Sequence, residues 1–176
     1  MKSLALPTAV IGGYAVFASF ACAVTVTETM LFYPNVFHDV PHSLELTEQF
    51  MSVVGVGDVL RPMGAVLTLV ALAAAAVSAR SRLARGWIAA SAASLITGQF
   101  LLSVAYQWPR VDILFDDRDR YSTEELRRAA DEFLVGQALR VGACTLTAVF
   151  AVVAALVCYR AHVLSSAQRK AEAALD

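Results

Sequence analysis

The sequence predicts an all-α fold: an integral membrane four-helix bundle with short helical, ordered loops on its outer side. Three observations carry this reading. Apolar residues make up 58% of the chain and mean hydropathy is +0.61, above the roughly 45–50% apolar usage of soluble domains. Four apolar runs are each long enough to cross a hydrocarbon core about 30 Å thick at about 1.5 Å per residue. The charged residues gather between those runs instead of spreading over amphipathic faces. The 176 residues amount to a single four-span domain.

The first run, Leu4 to Thr27, carries no charge, and its span is expected over residues 5–33. Lys2, the apolar stretch and Ala21-Cys22-Ala23 resemble a signal peptide with its cleavage site; the run is read here as a retained span. The second span is expected over residues 48–79, uncharged from Pro62 to Ala79 and interrupted earlier by Asp58 and Arg61. The third, residues 86–108, lies in the uncharged run Gly86 to Pro109, with Pro109 ending it. The fourth, residues 132–160, is interrupted only by Arg140. A soluble core cannot absorb four such runs in so short a chain.

Lys2, then Arg80, Arg82 and Arg85, then Arg160, Arg169 and Lys170 mark three positively charged positions. The positive-inside rule puts them in the cytoplasm, which makes the protein a multi-pass protein of the cell membrane with both termini inside. Pro34 to Glu48 and Arg110 to Glu132 then face outward. Ser122 followed by Glu125 is a capping-box pattern that starts a helix near Thr123. Ser43 begins another helix leading into the second span. Tyr33, Phe32, Tyr106 and Trp108 fall where an outer aromatic belt is expected, with Trp87 and Tyr159 at the inner one.

With 14 basic and 15 acidic residues the net charge is −1, which offers nucleic acid no electrostatic footprint. Cys22, Cys144 and Cys158 lie in apolar stretches without CxxC or zinc-type spacing, and are read as small buried residues. Phosphate loops, nucleophile elbows, HExxH and dinucleotide fingerprints are absent from the sequence. Many Gly, Ala and Ser residues permit close helix approach in lipid, and would also permit a homo-oligomer.

The informative residues are the polar ones inside the spans. Glu28 stands near the outer end of span one, Asp58 and Arg61 in the outer part of span two, Gln99 in span three, and Gln137 and Arg140 in span four. Counted from the outer boundaries they share one slab in the outer half of the bilayer. A charge there costs at least a few kcal/mol, so it faces the bundle interior and is functional by default. Arg61 and Arg140 are expected to pair with Glu28 and Asp58, and Pro62 to open space beside Arg61. Two arrangements compete: an ion-pair network that only orients the helices, and an outward-opening cavity in which Glu28, Asp58, Arg61 and Arg140 act on a substrate held by Gln99, Gln137, Tyr33 and Trp108.

Nothing in the sequence requires a cofactor. His38 and His42, with Asp39 between them, offer a single metal ion such as copper or zinc a place in the first outer loop, with Glu28 or Glu45 as a further ligand. Pro41 between the histidines argues against a regular helix that would align them. The competing readings are two unrelated surface histidines, or a general acid or base at the pocket mouth.

Tyr33-Pro34 at the end of span one, Arg61-Pro62-Met63-Gly64-Ala65 in span two and Phe133-Leu134-Val135-Gly136-Gln137-Ala138-Leu139-Arg140 in span four give the chain a resemblance to the DUF1772 or anthrone-oxygenase-like group of small four-helix membrane proteins. The resemblance implies oxidation of a polycyclic aromatic substrate without metal or flavin, and it carries over Arg140 alone. That group usually shows Trp and Asn or His where this chain has Phe133 and Gln137.

Two functions follow. The first is a membrane-embedded enzyme, an oxygenase, oxidoreductase or isomerase, acting on a lipophilic small molecule that enters from the lipid or the outer side. The second is a non-enzymatic protein of the bilayer: a small-molecule transporter, a channel subunit or a partner-binding accessory.

Overall fold

A computed structural model describes residues 4–172; Lys2, one of the charges expected to orient the chain, lies outside them, as does the side chain of Lys170. Five helices follow in order: α1 (Ala5–Val36), α2 (His42–Phe50), α3 (Val56–Ser81), α4 (Arg85–Asp116) and α5 (Thr123–Glu172). A single turn, Arg118–Arg120, joins the last two. No strand occurs among the described residues. The fold is an all-α bundle, and α1, α3, α4 and α5 are long and apolar enough to cross a membrane. Their outward faces are apolar as well: Val16 is 73%, Leu72 58% and Leu156 61% exposed. That is how a multi-pass protein meets acyl chains.

One half of the bundle, toward the α3–α4 turn, is close-packed through small residues. Ala15, Ala18 and Ala21 of α1, Ala71 and Ala74 of α3, and Ala151 and Ala154 of α5 are buried together around Ile11, Tyr14, Leu67, Ile88 and Leu95. Spacings of three and four put each set on one helical stripe. Alanine lets backbones approach and so maximises dispersion contact where lipid tails offer no hydrophobic drive between helices. A buried polar chain adds direction. Tyr14 donates to Ser91 Oγ at 2.7 Å, and Ser91 donates to the Thr147 carbonyl at 2.8 Å.

The opposite half is capped. Helix α2 and the Arg118–Arg120 turn lie over the helix ends, where Val36, Val40, Leu44, Leu114 and Leu126 form a second apolar cluster with Tyr33 and Phe133. Arg118 reaches Glu48 at 3.0 Å and Arg110 reaches Glu132 at 2.9 Å. The capping box at the start of α5 forms as expected: the Ser122 N–H donates to Glu125 at 2.8 Å, and the Glu125 N–H to Ser122 Oγ at 3.4 Å.

Three expected boundaries are corrected. Span two does not begin near residue 48: α2 stops at Phe50, Gly55 is extended, and α3 starts at Val56. Pro109 does not end span three, nor does Pro34 break span one. In each case the residue before proline takes a wider bond, the Trp108 N–H to the Ser103 carbonyl and the Tyr33 N–H to the Glu28 carbonyl. The proline then falls in the first turn of the next α-helical segment, where a missing N–H costs little. Such wide turns recur at Leu95–Leu101 and Asp112–Asp116. Helix α5, which carries the fourth span, begins at Thr123, where the capping box predicts it.

The tight half gives a direct test. A Cβ built on Gly98 would lie 2.2 Å from Ala143 Cβ, whereas one on Gly86 meets nothing within 4 Å. Gly98→Val should destabilise the protein by about 1–3 kcal/mol, the usual effect of overpacking, while Gly86→Val should leave the melting temperature in detergent within about a degree of wild type. Equal melting of the two variants would contradict the α4–α5 packing.

Candidate functional site

Between the two packed regions α3 leans away. Leu67, Ala71, Ala74 and Ser78 are buried, but no residue from 56 to 66 is. Gly57, Gly64 and Ala65 leave this stretch without bulk, and Pro62 cannot bond the Asp58 carbonyl one turn earlier. The splayed half of α3 and the facing parts of α1, α4 and α5 enclose a cavity of about 1040 Å³. Its walls are mainly apolar, among them Leu60, Leu69, Ile96, Phe100 and Phe115. The polar lining includes Glu28, Glu48, Arg61, Gln99, Gln107 and Arg140, with the hydroxyls of Thr47, Thr68 and Ser103.

Gln137 organises this lining from behind. It is fully buried, its Nε2 donates to Thr29 Oγ1 at 2.9 Å, and its Oε1 accepts from Arg140 Nη1 at 2.9 Å and from Gln107 Nε2 at 3.3 Å. One side chain thereby links α1, α4 and α5 and fixes the Arg140 guanidinium. The Tyr33 hydroxyl donates to Glu28 Oε1. Tyr33 is itself wedged by Phe133 and Phe37, with ring centroids at 4.8 and 5.7 Å. Gly136 lets Gln107 and Tyr106 come this close: a Cβ there would lie 2.7 Å from the Tyr106 ring and 2.9 Å from Gln107 Oε1.

Three buried polar atoms in this cluster have no partner among the described residues: Glu28 Oε2, Arg140 Nε and Gln107 Oε1. All three belong to cavity-lining residues. An unmade hydrogen bond on a buried group costs roughly 1–3 kcal/mol, so three in one place are not ordinary packing. They amount to one charged donor and two acceptors beside an apolar chamber.

Of the residues singled out in the sequence, Glu28, Arg61, Arg140, Gln99, Tyr33 and Trp108 line the cavity together, with Gln137 supporting them. Asp58 does not join them. Its carboxylate accepts the Gly55 N–H at 2.9 Å and closes the amino end of α3. The expected ion pairs do not form either: no carboxylate lies within ion-pair distance of Arg61 or Arg140 among the described residues. Arg61 instead lies along Gly57 and stands 5.7 Å from the centre of the Trp108 ring. Arg140 is near enough to Glu28 for their charges to interact through space. Gln99 donates to Thr147 Oγ1 at 3.2 Å.

The outer-loop histidines lie apart from the cavity. His38 Nδ1 is 3.0 Å from the Asn35 carbonyl, and His42 Nδ1 is 3.9 Å from a Glu45 oxygen. Both are exposed. No group of three His, Cys, Asp or Glu side chains among the described residues is placed to share a metal ion. Gln107, absent from the sequence-derived set, is the residue that sequence reasoning missed. Its signal was a second glutamine in an otherwise apolar run, eight residues beyond Gln99.

No family model, curated protein or solved structure matches the chain. The chemistry is therefore read from the site itself. A fixed guanidinium beside a carboxylate, facing an apolar chamber, can bind an oxygen-bearing head group, oppose developing negative charge on it and exchange a proton with it.

The position of Asp58 separates structural from site residues. Asp58→Ala should cost about 1 kcal/mol through the lost helix cap, read as a lower melting temperature, and should not alter occupancy of the cavity. A binding defect in this variant as large as that of an Arg140 variant would return Asp58 to the site.

Proposed function

We propose that the chain is a membrane-embedded enzyme that takes a lipophilic small molecule into this cavity and acts on it with Arg140 and Glu28. The reading is carried by one observation: Arg140 Nε and Glu28 Oε2 are buried and have no partner among the described residues, and both belong to residues that line one large apolar cavity. A fitting molecule is apolar over most of its surface and has one small polar head, such as a carbonyl or phenol. Arg140, held by Gln137, donates to the head's oxygen and opposes the negative charge of an enolate or phenolate. Glu28, held by Tyr33, takes the proton. Arg61 and Trp108 stand on the side opened by the α3 splay and sort entering molecules by shape and charge.

The resemblance to the anthrone-oxygenase-like group narrows this reading to oxygenation of a polycyclic ketone. For anthrone the balance closes with dioxygen alone. The acidic ring carbon gives up a proton, one oxygen atom becomes the new carbonyl, and the other leaves with the carbon's two hydrogens as water.

Transport, channel activity or partner binding is the alternative. Below the cavity Leu67, Ala71 and Ala74 pack with Ile11, Tyr14, Ile88 and Leu95, so the polar lining stops short of Arg80 to Arg85. A chamber closed at that end favours a bound reactant over passage. The positive-inside rule then sets Arg80, Arg82 and Arg85 in the cytoplasm with both termini, and opens the cavity in the outer half of the cell membrane.

The test uses the full-length protein in lipid nanodiscs with anthrone and oxygen, following anthraquinone by absorbance and anthrone binding by thermal shift. Arg140→Ala should weaken binding roughly 10- to 100-fold, the effect of losing a charged hydrogen bond. Glu28→Gln should bind anthrone and lose about 10²-fold or more in turnover. Wild-type turnover by Arg140→Ala at an unchanged melting temperature would overturn the assignment.

A further inference from the structure

The polar cluster leaves unused a second pair of reactive groups on the same two helices. Cys22 of α1 and Cys144 of α5 bring their sulfurs to 3.3 Å. Bonded sulfurs are about 2.05 Å apart, so little more than an ångström of side-chain movement separates this pair from a bond. The residues are 122 positions apart in the chain, which is why no sequence motif pointed to them. Their surroundings hold few competing partners. Cys144 Sγ donates to the Val141 carbonyl at 3.2 Å, and Thr145 Oγ1 lies 3.7 Å from Cys22 Sγ.

The place of the pair in the bundle matters more than its distance. Cys22 comes seven residues before Thr29, and Cys144 seven after Gln137. The two sulfurs therefore sit about two turns, roughly 10 Å at the usual helical rise, beneath the Thr29–Gln137 bridge. Cys144 is buried, whereas Cys22 is only partly so, and both lie within apolar helices long enough to cross a membrane. Water-borne oxidants are excluded from that depth, so the reagent that reaches this pair must itself be lipophilic. Cys158 lies elsewhere in the tight core with no second cysteine in its cluster among the described residues.

We propose that Cys22 and Cys144 form a redox-active dithiol that closes to a disulfide between α1 and α5 when a lipophilic quinone oxidises it. The two thiols lose two electrons and two protons, one sulfur–sulfur bond forms, and the quinone takes up both electrons and both protons to become its quinol. The closed form ties α1 to α5 directly beneath Glu28, Gln137 and Arg140, so the state of the quinone pool sets how far α1 can move against the cavity wall.

The experiment uses the reduced full-length protein in phosphatidylcholine nanodiscs, freed of reductant and treated with decylubiquinone, whose ring carbons are all substituted and cannot add to a thiol. After acid quenching and denaturation, free thiols are capped with N-ethylmaleimide and the intact mass is measured. The wild type should lose two of its three capping sites and form one quinol per chain, with Cys22 joined to Cys144 in the peptide map. Cys158→Ser should form the same bond and keep no free thiol. Cys22→Ser and Cys144→Ser should each keep both remaining thiols and reduce no quinone. Full capping of all three wild-type thiols after quinone treatment would overturn the proposal, and so would a disulfide that involves Cys158 or joins two chains. The wild-type measurement stands even if a serine variant fails to fold.

Discussion

The seam between α1 and α5 carries both the close packing of the tight half and the hydrogen bond that crosses the polar cluster, and the rest of the structure depends on it. In hydrocarbon two helices gain nothing from hiding apolar surface, so association rests on close packing and on polar groups that find each other. Small residues supply the first along the tight half, where Ala15, Ala18 and Ala21 are buried with Ala151 and Ala154. Higher up the same seam supplies the second, in the Thr29–Gln137 hydrogen bond and the neighbouring charges of Glu28 and Arg140. The packing fixes the spacing of the helices, and the spacing allows one glutamine to reach across it.

This seam explains how a chain of four spans can hold a cavity without falling apart. Closing three helices around a common line leaves the fourth free to diverge over part of its length. Helix α3 is anchored only where Leu67, Ala71, Ala74 and Ser78 are buried, and beyond Pro62 toward its amino end it has no such stripe. The wide turns in α1 and α4 act in the same direction, since each adds girth to a helix and re-aims the residues that follow. Glu28, Gln99 and Ser103 all lie in such turns and all line the chamber.

The four apolar spans and the capping box that starts α5 were legible in the sequence because they depend on composition, length and local spacing. The tertiary partners were not. Asp58 and Arg61, three apart, invited a local pair, yet the carboxylate meets an unpaired N–H at the helix start, a nearer demand than a mobile guanidinium. Pro109 signalled a stop, but the wider turn before it removes the clash, and nothing in the residue identities announces that turn. Gln107 was hidden for a related reason: wide turns shift the helical phase, so its alignment with Gln137 cannot be counted at 3.6 residues per turn. Cys22 and Cys144 lack a motif because their meeting is made by the whole bundle.

The unpartnered atoms mark where folding and function pull apart. Pairing Glu28 fully with Arg140 would stabilise the bundle and satisfy both groups. Instead Tyr33 and Gln137 each hold one partner by part of its hydrogen-bonding capacity, and leave Glu28 Oε2 and Arg140 Nε buried without a partner among the described residues. Several kcal/mol of unmet hydrogen bonding persists only where the surroundings over-determine it. Here Tyr33, wedged by Phe37 and Phe133, holds Glu28, and the buried Gln137 holds Arg140. An ion-pair network meant solely to orient helices needs no such restraint and no chamber beside it. A preorganised site needs both, because its donors and acceptors must already stand where charge will develop.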